Sequence, residues 1–194
     1  NKKDIIAQAQ SGTGKTGAFS ISSLQYIDLS VNETQIMIIV PTRELVQQIY
    51  KVVTCLSEFM ENIRVKTLIG GTSVSADIEE LKNPPHIIVG TPGRIFDMIK
   101  RRKINMYTIK LFILDEADEM LSRGFKEQIH TIFQYLDEKV QVAIFSATFP
   151  DEVLEITTKF MNNPEKIIIK KENLSLDGIQ QYFIATYDDQ DKLK

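Results

Sequence analysis

Short runs of isoleucine, valine and leucine recur along the chain, each stopped by proline, glycine or charged residues and separated by longer amphipathic stretches. Runs this short and this uniformly apolar predict strands covered on both faces rather than strands with one wet side. They fall at residues 4–9, 35–40, 64–69, 86–89, 111–115, 140–145 and 166–169. Helical periodicity fills residues 15–28, 43–60, 75–82, 93–100, 125–136 and 151–161. Alternation of this kind predicts repeated βαβ units, and so an α/β domain whose mostly parallel central sheet carries helices on both faces. Pro41, the pair Pro84-Pro85 and Asn163-Pro164 punctuate the pattern at element ends.

A length of 194 residues suits one domain with a substantial core. Cys55 is the only cysteine, which excludes an intrachain disulfide, argues against a cysteine metal site and fits a reducing compartment, cytoplasm or nucleus. No apolar run approaches the ~20 residues of a membrane helix, so no membrane association is expected. The net charge of −3 argues against a generally basic nucleic-acid coat. After Lys171 the texture turns polar and helix-poor, and residues 182–184 read as a strand without a later partner. The expected organisation is therefore a domain over residues 1–171 and, over 172–194, a linker entering a further domain. A start at Asn1 without methionine fits a segment of a longer protein.

Two motifs carry chemistry. Ala9-Gln10-Ser11-Gly12-Thr13-Gly14-Lys15-Thr16 follows a predicted strand and opens a predicted helix, the setting a phosphate-binding loop requires. Glycines there let backbone N–H groups face inward as an anion nest at a helix start. Lys15 then reaches β- and γ-phosphates, and the Thr16 hydroxyl can ligate Mg²⁺. Ala9 stands where the strict pattern has glycine. The second motif, Asp115-Glu116-Ala117-Asp118, runs straight out of the apolar Leu111-Phe112-Ile113-Leu114. An acidic run is commonly a solvated face, but carboxylates at the carboxyl end of a buried strand stand where α/β sheets bind ligands. Asp115 is suited to hold Mg²⁺, directly or through water, and Glu116 to orient an attacking water.

These motifs, together with Pro41-Thr42-Arg43, Gly70-Gly71, Thr91-Pro92-Gly93-Arg94 and Ser146-Ala147-Thr148, occur in an order and spacing that resembles DEAD-box RNA helicases. The resemblance runs from about Ile5 to Ile184. Glu119-Met120-Leu121 and the stretch from Gly124 to Ile129 look most like the translation initiation factor 4A group. The resemblance implies a RecA-like P-loop fold, ATP and Mg²⁺ as ligands, and an RNA-dependent ATPase that separates or clamps RNA duplexes. It also implies RNA-backbone contacts at Pro41, Thr42, Arg43, Gly70, Gly71, Thr91, Pro92, Gly93 and Arg94. Thr42 and Thr91-Pro92 equally suit helix N-termini, as cap and as cap with N1 proline. Contacts confined to phosphate and sugar imply RNA binding without sequence preference. Ser146 and Thr148 are implied to bond Asp118 and couple the two surfaces. A second RecA-like domain in cis and translation or RNA-processing proteins are the implied partners. An upstream adenine-reading glutamine motif is expected to precede Asn1.

Overall fold

The structure, a computed structural model, describes residues 3–10, 12–168 and 182. The expected linker and further strand over 172–194, the end of the last predicted strand at residue 169, and Ser11 lie outside the described residues, Tyr182 apart. The strands are β1 (Ile5–Gln8), β2 (Ile36–Ile39), β3 (Val65–Leu68), β4 (Ile87–Gly90), β5 (Leu111–Asp115), β6 (Gln141–Ser146) and β7 (Glu165–Ile167). The helices are α1 (Lys15–Tyr26), α2 (Arg43–Leu56), α3 (Val74–Glu80), α4 (Pro92–Lys100), α5 (Ala117–Ser122), α6 (Lys126–Gln134) and α7 (Asp151–Phe160).

The strands form one 7-stranded sheet in the order β3-β4-β2-β5-β6-β1-β7, and each pairing is parallel. The fold is thus the expected α/β architecture. Alternation along each strand divides the core. Ile36, Ile38, Leu111 and Ile113 face a layer made by Phe19 and Leu24 of α1 and Val46, Ile49 and Val53 of α2. Met37, Ile39, Phe112, Leu114, Val142 and Ile144 face the opposite layer, built from α4, α5, α6 and α7. The helical contributions sit at the spacing the helix period demands: Ile95, Met98 and Ile99 in α4, then Ile129, Ile132 and Phe133 in α6. Every residue of β2 is fully buried, which is why its sequence shows no polar alternation.

Phe133 joins two elements of the second layer, edge-on to Phe112 at 5.0 Å and stacked on Phe160 of α7 at 4.7 Å. Asp4, just before β1, accepts from the backbone N–H groups of Val142 and Asn162, both at 2.8 Å, and so ties β6 to the chain leaving α7. Helix α5 was not expected from the sequence. Its six residues are too few for a periodic signal, and its N-cap is Glu116 in left-handed backbone, without a side-chain cap.

A parallel sheet sends every strand's carboxyl end to the same edge. The strand order then sorts the loops along it: Gly70-Gly71, Thr91–Arg94 and Pro41–Arg43 follow β3, β4 and β2 on one half. The acidic tetrad, Ser146–Thr148 and the glycine loop follow β5, β6 and β1 on the other.

Candidate functional site

At the glycine loop the chain must turn from β1 into α1 within a few residues. Gly12 and Gly14 do this with φ of +83° and +87°, backbone that L side chains seldom adopt. Thr13 closes the turn on itself, its hydroxyl donating to the Gln10 carbonyl at 2.8 Å. Ala9 is still held to the sheet, its N–H donating to the Ser146 carbonyl at 3.1 Å. Lys15 is the first residue of α1 and is buried. Thr16 is half-buried beside it.

The Lys15 ammonium lies 3.1 Å from Asp115 Oδ1 and also pairs with Glu116 Oε1. Asp115 ends β5 at 2% exposure. Glu116 follows with φ 57° and ψ 50°, a strained backbone for a non-glycine residue, of the kind that concentrates at functional sites. Its N–H donates to Asp115 Oδ1 at 3.0 Å, which sets the two carboxyls at a fixed angle. Burial is the largest influence on Lys15 and pulls its pKa down, but the two acids outweigh it and the net shift is upward. Burial also dominates at Asp115 and pushes its carboxyl up, beyond what Lys15 offsets. With one ammonium set between two carboxyl groups, the cluster carries one formal negative charge in excess.

Asp118 sits in the first turn of α5. Its Oδ2 accepts from the Thr148 hydroxyl at 2.6 Å and from the Thr148 N–H at 3.0 Å. The fully buried Ser146 meets Asp118 differently: its Oγ accepts from the Asp118 backbone N–H at 3.1 Å. Burial would raise the Asp118 carboxyl, yet the hydroxyls of Thr148 and Ser146 and the surrounding amides hold it below the usual carboxylate range. Two hydroxyls of one strand end thus clamp both the side chain and the backbone of the tetrad's last acid.

On the other half of the edge, a groove of about 580 Å³ opens between Pro41, Thr42, Arg43, Gly70, Thr91, Gly93 and Arg94. Thr42 caps α2, its hydroxyl accepting from Leu45 N–H at 3.2 Å. Thr91 occupies the N-cap of α4 ahead of Pro92 but makes no side-chain cap bond. The Arg43 guanidinium lies against Gly71, where a Cβ would come within 2.7 Å of Nη1. Arg94 is buried rather than free: it pairs with Asp77 and donates to Thr72. Arg123 and Phe125 also line this groove. Sequence reasoning assigned them no part in it, and the local signal was Gly124, whose φ of +84° folds the chain after α5 back toward the edge.

The two histidines and the cysteine stay apart from this edge chemistry. His86 accepts from the Arg64 N–H at 3.1 Å, and His130 packs edge-on against Phe160. Cys55 is exposed on α2.

Comparison with known proteins places this geometry. Residues 1–156 match the family model described as DEAD/DEAH box helicase. The ATP-dependent RNA helicase eIF4A of Pyricularia oryzae is 56% identical over 190 residues, covering 98% of this chain and 48% of that protein. The protein of the same name from Lodderomyces elongisporus is 58% identical over 182 residues, with 94% and 46% covered. Among solved structures, a DEAD box protein from Methanococcus jannaschii superposes with a TM-score of 0.81 at 38% identity, over 85% of this chain and 45% of that one. Dbp5 of S. cerevisiae bound to RNA and ADP BeF3 also gives 0.81, at 33% identity, over 92% and 45%. The chain spans about half the length of the curated relatives it matches.

Proposed function

Because the chain belongs to the DEAD/DEAH-box helicase family, we propose that it is the ATP-binding half of an ATP-dependent RNA helicase of the initiation factor 4A kind. The observation that carries this reading is the meeting of Lys15 with Asp115 and Glu116 at the sheet edge, directly beside an anion-binding glycine loop. Gly12, Thr13, Gly14 and Lys15, with Gln10, Ser11 and Ala9, cradle the phosphates of ATP. Asp115 and Thr16 supply hard oxygen donors for Mg²⁺, partly through water. The uncompensated charge of the lysine and its two acids fits a divalent cation. Among the described residues no group of three or more His, Cys, Asp or Glu side chains converges, so the donor set suits an ion shared with phosphates, as Mg²⁺ prefers. When bound, the ion neutralises charge on the phosphate oxygens. Glu116 orients the attacking water, and Lys15 leaves its acids for the γ-phosphate.

RNA lies along the other half of the edge, held by Arg43, the Gly70-Gly71 backbone and the α4 N-terminus. Such contacts position a strand without reading its bases. Asp118 lies in the first turn of α5 on the ATP half, and α5 runs on to Arg123 beside the groove; through that helix, the bonds of Asp118 to Ser146 and Thr148 couple ATP-site geometry to the RNA surface.

The expected domain plan, residues 1–171 followed by a linker from 172, enters the mechanism at the γ-phosphate. P-loop ATPases gain roughly 10³–10⁵-fold in rate from an arginine reaching that group. Here Arg43 and Arg94 border the groove, and Arg123 pairs with Glu119 on α5. The residues 1–194 by themselves are therefore expected to bind ATP weakly and hydrolyse it hardly at all, with or without RNA. Restoring a second RecA-like domain on its natural linker should bring back hydrolysis stimulated by RNA and not by DNA. Full RNA-stimulated turnover by residues 1–194 alone would refute the two-domain reading, and equal stimulation by DNA the substrate assignment.

In the two-domain protein, Ser146→Ala with Thr148→Ala removes the clamp on Asp118 without touching Lys15 or Asp115. Duplex separation is expected to fall about tenfold more than ATP hydrolysis, the scale of one lost charge-assisted hydrogen bond, that of the Thr148 hydroxyl to the Asp118 carboxylate. Parallel loss in both assays would place these hydroxyls in support of the ATP site instead.

A further inference from the structure

Asp77 has no part in the chemistry described so far, yet it is among the most buried charged side chains of the domain, at 3% exposure. It lies in the first turn of α3, and Ser73 caps that helix by accepting from the Ala76 N–H at 3.3 Å. Two cations from different elements converge on it. Lys66 of β3 approaches Oδ1 at 3.2 Å, and Arg94 of α4 pairs with Oδ2. Arg94 also donates to the Thr72 hydroxyl at 3.1 Å and to the Thr72 carbonyl at 2.7 Å. Thr72 is itself tied back to the Ile69 carbonyl at 2.9 Å. The segment from Ile69 to Thr72, which contains Gly70-Gly71, is therefore closed on itself and held to α4 through Thr72, and Arg43 rests against Gly71.

From this arrangement we infer that Asp77 is a positioning residue for the RNA groove: it holds the Arg94 guanidinium against Thr72 and thereby sets the path of the Gly70-Gly71 backbone. The inference rests on reading that groove as the RNA surface. A glycine pair has little conformational preference of its own, so its amides present one fixed pattern only if the flanking residues are held. Arg94 does the holding, and a buried guanidinium stays in place only with a buried anion beside it. Lys66, which also pairs with Glu80, brings a second ion pair to the cluster and joins the assembly to the edge strand.

The inference differs in sign from a purely electrostatic account of the groove. Asp77→Asn is close in size but removes a negative charge beneath a surface that binds polyanions. If charge alone mattered, RNA affinity would rise and its salt dependence would steepen, by about 0.7 in log–log slope for each phosphate newly neutralised on a single strand. Positioning predicts weaker binding, by about tenfold, the scale of one lost charge-assisted hydrogen bond. It also predicts that Asp77→Glu, bulkier but still charged, binds RNA better than Asp77→Asn, whereas packing alone would favour asparagine.

The test is fluorescence anisotropy of the two-domain protein on single-stranded oligouridylate with a non-hydrolysable ATP analogue. Affinity for the analogue without RNA is measured in the same variants. Weaker RNA binding by Asp77→Asn, partial recovery in Asp77→Glu and unchanged analogue affinity are expected. RNA affinity that is equal or tighter in Asp77→Asn, the reverse order of the two variants, or a parallel loss of analogue affinity would overturn the positioning role. Failure of the parent protein to bind the oligonucleotide, with analogue binding intact, would remove the groove reading and this inference with it.

Discussion

Replacing Lys15 by alanine should weaken Mg-ATP binding by roughly 100-fold or more, the scale of one or two hydrogen bonds to a charged group. Both the attraction for the phosphates and the ammonium that screens Asp115 and Glu116 disappear together, so the triphosphate would meet acidic groups with no cation beside them. Titration calorimetry on the folded variant measures the effect, and unchanged affinity would end the phosphate-loop assignment. The fold itself should persist with a lower thermal midpoint. Asp115 is buried and its carboxyl is already shifted upward, so without Lys15 it relieves the repulsion by binding a proton. A carboxyl whose folded pKa lies above its unfolded value destabilises above the folded pKa, and the penalty fades as pH falls through it. The midpoint gap between parent and Lys15→Ala should therefore narrow from neutral to mildly acidic pH. A gap constant across that range would show that Asp115 does not titrate in response to the loss of Lys15.

Glu116→Gln is the second large effect, on rate and not on binding. Lys15 keeps its 3.1 Å partner Asp115, so the nucleotide and cation sites survive. The side chain proposed to orient the water loses its charge and its capacity as a base. Positioned acid–base groups contribute about 10²–10⁴ in rate, and hydrolysis in the two-domain protein should fall within that range while ATP and RNA still bind. Single-turnover hydrolysis with RNA present decides it. A parental rate would remove Glu116 from the mechanism.

How much of this was legible beforehand varies from residue to residue. β2 and β5 were readable because a strand buried on both faces must be apolar throughout. The glycine loop was readable because its strand–turn–helix context is local. Helix α5 was not, since six residues give no period and its first residue is bent by the left-handed Glu116. Ser146 and Thr148 were expected to bond Asp118, but the division between its backbone and its carboxylate depends on the Ser146 side chain being enclosed at the end of β6. Arg94 was read as an RNA contact by resemblance, and its tie to Asp77 and Thr72 appears only where β3, α3 and α4 come together.

Periodicity, turn residues and motif context in the sequence thus determined the strands and every α-helix but α5, that the domain is α/β, and which loops carry the glycines and acids of the proposed ATP site. These properties depend on neighbours a few residues away. Strand order does not, because every strand in the series is similarly apolar and the chain carries no local mark of which one its neighbour will be. Only the tertiary structure set β5, β6 and β1 side by side, bringing Lys15 to Glu116 across 101 residues of sequence. The same order gathered the loops after β3, β4 and β2 into a separate groove. A parallel sheet guarantees that all these loops share one edge; the order of its strands, fixed by long-range packing, divides that edge into a proposed ATP side and a proposed RNA side.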